Sequence, residues 1–128
     1  MANQKCFCGS GVFFDACCQP IVLGIQKAPT AEALMRSRYV AYVIHDADYL
    51  IATTAPSHRR YYAKEDIVSW ATQNQWQRLE IINVTQSTVE FKACYLDPNK
   101  QLQVHHEHSR FVFKNGEWLY VDGDYFEN

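Results

Sequence analysis

Four of the five cysteines of this chain lie between residues 6 and 18, and this cluster constrains the fold more than any other feature. The four are Cys6, Cys8, Cys17 and Cys18, while Cys94 stands alone. Disulfides are typical of small exported domains, whereas closely spaced cysteines in a chain without an export signal favour a metal. Zinc takes four ligands in a tetrahedron, so the spacing predicts a four-cysteine zinc site. Reduced cysteines without metal, or an iron–sulfur site, are the alternatives.

The segment between the two cysteine pairs suits a small metal site. Gly9-Ser10-Gly11 permits a sharp bend, because glycine reaches positive φ without steric cost, and its N–H groups can point at the thiolates. We expect residues 12–16 to form about one helical turn that returns Cys17 and Cys18 to the metal. Four protein ligands close the site, which is typical of structural zinc, and metal binding should supply most of its folding energy.

The run CFCGSG at residues 6–11, followed by Cys17-Cys18, resembles the SEC-C motif, the zinc tail of the SecA translocation ATPase. The resemblance implies that the four cysteines bind zinc within a module of residues 1–20, and that the module contacts a protein partner. In SecA the segment after the glycines is rich in lysine, whereas here it reads VFFDA and is apolar and slightly acidic. We therefore expect Phe13 and Phe14 to dock this knuckle onto the rest of the chain.

The bulk composition excludes several classes of function. The chain has 128 residues, of which 48% are apolar and 14% aromatic, enough for one domain with a core and a small module. Its net charge is -2 and it has no block of like charges, so we expect neither nucleic acid nor an anionic membrane as a partner. No apolar run reaches the roughly 20 residues of a transmembrane helix. The N-terminus lacks the pattern of a signal peptide, so we expect a protein of the bacterial cytoplasm.

The rest of the chain predicts helices followed by strands. Helical periodicity covers residues 31–45, with Thr30 as N-cap, and two shorter helices are predicted at 46–54 and 64–73. The period then changes to two, which predicts four strands at 77–86, 88–96, 101–114 and 117–122. Asn115-Gly116 is a strong signal for a two-residue hairpin. Helices followed by an antiparallel meander predict an α+β domain with the helices on one face of a curved sheet.

This order of elements resembles the cone-shaped fold of nuclear transport factor 2 and of the SnoaL-like enzymes. Local sequence is more specific and resembles the YchJ family over residues 30–126. The resembling segments are ALMRSRY at 33–39, Ala41-Tyr42, DYL at 48–50, Thr53, Pro56-Ser57, HEHSRF at 106–111 and WLYVDG at 118–123. The resemblance implies an architecture, with a zinc knuckle before the cone, and a homodimer by analogy with cone-fold proteins. It implies no particular reaction.

An open cone is a natural pocket, and the third strand carries polar side chains that could enter it. These side chains form two alternating sets, His106, His108 and Arg110 on one face and His105, Glu107 and Ser109 on the other. Leu102, Val104 and Val112 share the face of the first set, which predicts that this set points inward. Phe111 and Phe113 favour the opposite orientation. We adopt the first orientation as the expectation.

The candidate catalytic residues are His106, Asp48 and Glu107. Histidine is the side chain best suited to proton transfer at neutral pH, so His106 with either carboxylate would be an acid–base pair of the kind that the SnoaL-like enzymes imply. The alternative is that His106 is an ordinary hydrogen-bonded strand residue. A second metal site at residues 105–108 is a further alternative, although alternation along a strand lets at most two of these side chains meet one ion.

Successive residues of a helix lie about 100° apart, so Arg36 and Arg38, which flank Ser37 on the first helix, do not share a face. We expect one of them to be buried and paired with Asp48, Glu80 or Glu107, because a buried arginine is costly unless it is paired. An arginine that binds an anion in the pocket is the functional alternative. Arg110 is a further candidate for an ion pair or the pocket, and Trp76 is a candidate for the core or for the lining of the pocket.

Two functions follow from these observations. The first is a non-catalytic binding or adaptor protein, with a protein partner at the knuckle, a small ligand in the cone, or a second copy of the chain. The second is a small SnoaL-like enzyme. A histidine and a carboxylate within hydrogen-bond reach in an open cavity would favour the enzyme, whereas a cone packed solid with side chains would exclude it.

Overall fold

A computed structural model describes residues 4–126. Its elements are a 3₁₀ turn at Phe14–Ala16, helix α1 at Gln19–Val22, α2 at Ala31–Val43, α3 at Ala47–Ala52, a 3₁₀ segment at Pro56–Tyr61, α4 at Lys64–Gln73, and strands β1 at Gln75–Val84, β2 at Thr88–Leu96, β3 at Leu102–Lys114 and β4 at Glu117–Phe126. The predicted α+β order is confirmed. Among the predicted elements, the largest differences are that β4 extends four residues beyond its predicted end and that β1 starts and ends two residues earlier. Helix α1 and the 3₁₀ segment at Pro56–Tyr61 were not predicted.

Local interactions set the ends of helices α2 and α3. The Thr30 hydroxyl accepts a hydrogen bond from the Ala33 backbone N–H at 3.0 Å, which caps the exposed N–H groups of α2. Asp46 caps α3 in the same way, with its carboxylate 3.0 Å from the Tyr49 nitrogen. Between them, α2 ends because His45 adopts a left-handed backbone conformation with φ of 65°.

The four strands form one antiparallel sheet in the order β1-β2-β3-β4, so each strand pairs with its neighbour in the sequence. Asn115 and Gly116 have φ of 54° and 83°, as the two central residues of the predicted β3–β4 hairpin require. Register shifts interrupt β1 between Trp76 and Arg78 and the β3–β4 ladder beside Arg110. Such bulges bend and twist a sheet, which curves this one around the helices.

Helix α2 packs on the inner face of the sheet and forms the main core. Buried side chains of this core are Leu34, Met35, Tyr39 and Val40 from α2 and Leu79, Val89, Phe91, Ala93, Phe111 and Tyr120 from the sheet. No helix in residues 4–126 is long and apolar enough to cross a membrane.

The cysteine knuckle packs against this same core. Cys6, Cys8 and Cys18 belong to one buried cluster with residues of α2. The Arg36 guanidinium donates to the Cys8 carbonyl oxygen at 2.7 Å and to the Glu32 carboxylate at 2.9 Å, so a side chain of α2 holds the backbone of the knuckle.

The predicted docking role of the two phenylalanines is only half correct. Phe14 is half-buried, packs against the core, and meets the ring of Phe7 with 5.7 Å between centroids. Phe13 is 45% exposed, and its ring contacts the ammonium group of Lys5 at 4.8 Å. The prediction is wrong for Phe13 because the knuckle turns this side chain away from α2.

The orientation expected for β3 is also wrong. Glu107, Ser109 and Phe111 are buried on the inner face, and His105 shares that face, so His106, His108 and Arg110 point away from the helices. Leu102, Val104 and Val112, which supported the expected orientation, lie on the outer face, where Leu102 is 57% exposed. Because both faces of β3 carry apolar side chains, their number on one face did not identify the inner one.

Candidate functional site

A cavity of about 220 Å³ lies between α2, α4 and the inner face of the sheet, so the cone is not packed solid. One side of it is aromatic, with Tyr39, Tyr42, Trp70, Trp76 and Phe91. The other side is polar, and carries Arg38, His105, Glu107, Tyr62, Tyr120 and Tyr125. A ligand site is usually an apolar pocket into which a small number of polar groups converge.

The aromatic wall is a connected set of rings. The centroids of Trp70 and Trp76 are 5.0 Å apart, and Tyr42 lies 5.7 Å from Trp70 and 5.6 Å from Trp76. The indole N–H of Trp76 donates to the Ala71 carbonyl oxygen at 3.2 Å, which fixes the ring relative to α4. Trp76 therefore lines the cavity and also ties the first strand to the helix before it.

Glu107 is the buried anion of the cavity. Its carboxylate accepts hydrogen bonds from the Tyr120 hydroxyl at 2.6 Å, the Ser109 hydroxyl at 2.7 Å and the His105 ring Nε2 at 2.8 Å. Burial by itself raises the pKa of Glu107, but these three hydrogen bonds outweigh burial and hold the pKa below its ordinary value. Glu107 is therefore ionised at neutral pH, inside the protein.

Gly123 makes room for this carboxylate. It lies opposite Ser109 on β4, and an added Cβ at this position would overlap Glu107 Oε2. The requirement here is for space and not for an unusual backbone angle, since Gly123 has no positive φ. A glycine inside a strand is otherwise unfavourable, so its presence is explained by the close approach of the glutamate.

His105 is oriented by Glu107. When its Nε2–H donates to the glutamate, Nδ1 of the neutral ring is left as the basic nitrogen. The ring packs beside Phe91 and Tyr125, with centroids 6.0 and 5.2 Å away, and one third of the side chain is exposed. A histidine held by a buried carboxylate is a competent proton acceptor.

Arg38 is the buried cation of the cavity, and only 5% of it is exposed. Its Nη1 donates to the Leu50 carbonyl oxygen at 2.9 Å and to the hydroxyls of Thr53 and Thr54 at 2.7 and 3.4 Å. The guanidinium carbon lies 4.5 Å from the centre of the Tyr120 ring. Within residues 4–126, no carboxylate oxygen comes within 4.0 Å of it, so the expected ion pair does not form.

The other candidate partners and catalytic residues lie elsewhere. Asp48 is 77% exposed at its side chain and contacts Lys64 at 3.1 Å, while Glu80 contacts Arg78 at 3.0 Å. His106 lies on the outer face, 2.7 Å from the carboxylate of Glu90. Of the three candidate catalytic residues, the structure thus brings only Glu107 into the cavity.

The outer face of the sheet also holds Arg110. Its guanidinium donates hydrogen bonds to Asp122 at 2.6 Å and to Asp124 at 2.9 Å, and these hydrogen bonds to the two carboxylates raise the pKa of Arg110. Sequence reasoning also missed His105 as a functional residue. The signal that could have found it is its spacing from Glu107, since residues two apart on a strand share a face.

The four cysteines of the knuckle converge on one point. Their Sγ atoms all lie within 4.8 Å of one another, with 3.7 Å between Cys8 and Cys17 and 3.9 Å between Cys17 and Cys18. Sulfurs bound tetrahedrally to zinc at about 2.3 Å are separated by roughly 3.8 Å, so the residues fit a metal ion. The Ser10 hydroxyl lies 3.2 Å from Cys17 Sγ and can donate to a thiolate there.

Crowding couples the ionisation of these thiols. Hydrogen bonds from Cys18 and Cys6 lower the pKa of Cys8, whereas hydrogen bonding to Cys6 and Cys8 raises that of Cys18. Without a cation Cys6, Cys8 and Cys18 therefore share protons, because three buried thiolates would repel one another. A divalent ion held by the four cysteines would replace these protons and compensate the charge of the thiolates.

Comparison with known proteins shows the family to which the chain belongs. The family model described as "YchJ, middle NTF2-like domain" matches residues 30–123. The chain belongs to the YchJ family. A UPF0225 protein of Photorhabdus laumondii is 44% identical over 128 residues, which cover 94% of this chain and 80% of that protein. A UPF0225 protein of Geobacter sulfurreducens is 39% identical, over 94% of this chain and 79% of its own length.

Two experimental structures share the whole architecture. The solution structure of a SEC-C motif containing protein from Rhodopseudomonas palustris matches with a TM-score of 0.88 and 34% identity, over 97% of this chain and 100% of that one. The crystal structure of a SEC-C motif containing protein from Psychrobacter arcticus matches with a TM-score of 0.83 and 31% identity, over 99% and 85%. The predicted family and fold, a cone preceded by a knuckle, are confirmed.

The buried glutamate predicts a specific dependence of stability on acid. Because the pKa of Glu107 in the folded protein lies below its ordinary value of 4.5, its stabilising effect is complete above that pH and is lost as the pH falls through the folded value. Glu107→Gln should lower the free energy of unfolding at neutral pH by about 2 kcal/mol, because the amide cannot accept all three hydrogen bonds.

Urea unfolding of both proteins from pH 7 to pH 3 is the measurement. The difference between wild type and Glu107→Gln should shrink below about pH 4.5, since only the wild type loses the ionised glutamate. Protonation of the cysteines affects both proteins and cancels in the difference. A difference that stays constant over this range would contradict the ionised, hydrogen-bonded state.

Proposed function

We propose that this chain is a small-ligand-binding protein, in which the cone holds the ligand and a zinc-bound knuckle stabilises the cone. The observation that carries the proposal is the cavity, where ionised Arg38 and Glu107 are both buried beside aromatic walls. Charged side chains are rarely buried for stability alone, since replacing them with apolar residues usually costs nothing. A buried carboxylate with a shifted pKa that lines a cavity, as Glu107 does, is more typical of a binding site.

Zinc is the metal we assign to the knuckle. Four sulfur ligands in a tetrahedron leave no open position, which favours a structural ion. Soft thiolates select zinc or iron–sulfur clusters among the common metals, and the adjacent pair Cys17-Cys18 suits a single small ion better than a cluster. Within residues 4–126 all five cysteines are free of disulfides, which accords with a reducing compartment such as the cytoplasm.

The knuckle and the sheet are also the surfaces through which we propose that the chain meets other proteins. Val12 and Phe13 are exposed apolar residues of the knuckle and support an adaptor role with a protein partner. Leu102, Val104 and Val112 are exposed on the outer face of the sheet and support a homodimer formed through that face.

Metal content is the test of the knuckle. Protein purified without added metal should contain one zinc per chain, and Cys17→Ser should lose it. Because the knuckle shares a core with α2, the variant should also lower the melting temperature of the whole domain, by roughly 4 °C for each kcal/mol lost.

The matched control is Cys94→Ser, which changes a buried thiol outside the cluster and should keep the zinc. Iron in place of zinc, or full zinc in Cys17→Ser, would contradict the assignment. A variant that loses zinc with no change in melting temperature would show that the knuckle and the cone fold independently.

Ligand binding to the cone is tested by filling the cavity. Ala93 is buried on the inner face of β2 and lines the cavity, so Ala93→Leu places three more carbon atoms inside it. A fragment panel screened by amide chemical shifts should perturb α2, β2 and β3, and Ala93→Leu should weaken binding about tenfold or more. Lys92→Leu puts the same side chain on the opposite face and should bind normally. Fragments that bind Ala93→Leu as tightly as they bind the wild type would contradict the proposal.

The second candidate function is acid–base catalysis, which the 2.8 Å contact between His105 and Glu107 favours. In this alternative, Glu107 orients His105, and Nδ1 of His105 removes a proton from a bound ligand. Such an enzyme would incorporate deuterium from heavy water into the ligand. His105→Gln should abolish the exchange and retain binding, while His106→Gln on the outer face should leave both unchanged. No exchange into any ligand bound by the wild type would exclude this function.

A further inference from the structure

The guanidinium of Arg38 has more donors than the protein uses. Its three hydrogen bonds all start from Nη1, and no acceptor within the described part of the chain meets Nε or Nη2. Every fully buried side-chain nitrogen or oxygen in that part has a hydrogen-bond partner. The two unused nitrogens are therefore not sealed in the core. Since Arg38 is 95% buried and lines the cavity, the opening that reaches them is the cavity itself.

The charge of Arg38 is also uncompensated. No salt bridge to it forms within residues 4–126, and its three acceptors are neutral oxygens. Glu107 lines the same cavity, but both of its oxygens are occupied by Ser109, Tyr120 and His105, and it lies beyond salt-bridge distance of Arg38. A buried guanidinium without a counter-ion is unfavourable, so the protein leaves a place for an anion.

The shape of the cavity limits the rest of the ligand. A dry cavity of about 150 Å³ in another protein holds one benzene molecule, so about 220 Å³ accommodates one ring with a small substituent. Trp70, Trp76 and Phe91 supply the apolar surface on which a planar ring packs edge to face or offset. The arginine fork matches a carboxylate in two parallel hydrogen bonds, for which Nε and Nη2 are the free donors.

We propose that the ligand of the cone is a small aromatic carboxylate, whose ring packs on the tryptophan wall and whose carboxylate pairs with Nε and Nη2 of Arg38. This inference rests on the proposed ligand-binding function and gives that function its ligand class. In the complex, Glu107 and His105 share the polar side of the cavity with Arg38, where the Tyr120 ring contacts Arg38 and its hydroxyl donates to Glu107. The repulsion between the two anions is reduced, because donors already surround Glu107.

The test compares ligands that differ only in charge, on the wild-type protein, so that it does not depend on a variant that folds. Tryptophan fluorescence, with Trp70 and Trp76 in the wall, is titrated with benzoate against benzamide, phenylacetate against phenylacetamide, and benzylamine. We expect each carboxylate to bind about tenfold or more tighter than its amide, because a charge-assisted bidentate pair replaces neutral hydrogen bonds. Arg38→Gln should remove this preference, and Arg110→Gln, on the outer face, should keep it.

The outcomes separate the ligand class from the underlying function. Amides that bind as tightly as the carboxylates, with Ala93→Leu still blocking them, overturn the carboxylate assignment and leave the ligand site in place. A preference for benzylamine overturns it too, and assigns recognition to Glu107. If neither these compounds nor the fragment panel binds at millimolar concentration, both the ligand class and the ligand-binding function fail.

Discussion

One turn of helix α2 holds the molecule together, because three successive residues on it contact three different parts of the protein. Side chains on a helix rotate by about 100° per residue, so neighbours in the sequence point in separate directions. Arg36 reaches the Cys8 carbonyl oxygen of the knuckle, the Ser37 hydroxyl lies 2.6 Å from that of Tyr49 on α3, and Arg38 enters the cavity. The cysteine cluster and the cavity are therefore connected through a single turn of helix, which explains why the knuckle shares a core with the cone.

The cavity persists because its polar end is built on small residues and satisfied donors. Ser109 and Gly123 face each other across β3 and β4, and they leave the space that the Glu107 carboxylate fills. A carboxylate without its three donors would carry a large desolvation cost at this depth, and a larger residue at position 123 would displace it. The aromatic end is different in kind, since interlocked rings around Trp70 and Trp76 keep the helix and strand apart without any charged group.

Much of the fold could be predicted from the sequence, because the relevant signals are local. The Thr30 cap, the helical spacing that follows it and the Asn115-Gly116 turn each act within a few residues, and each is present in the structure. The cysteine cluster is local as well, so its convergence followed from spacing alone. The end of β4 was placed four residues early, because its last four residues pair with residues 106–109 in the middle of β3 and depend on a partner that is not local in the sequence.

The cavity residues could not be assigned in the same way, because strand orientation is a tertiary property. Glu107 was identified as a candidate, but His106 was assigned to it instead of His105, since Leu102, Val104 and Val112 suggested the wrong inner face. Those three are exposed on a sheet whose outer surface is itself partly apolar. The reliable signal was the pattern of polar residues. His105, Glu107 and Ser109 form a chain of hydrogen bonds along one face, and a buried charge needs such partners on its own face.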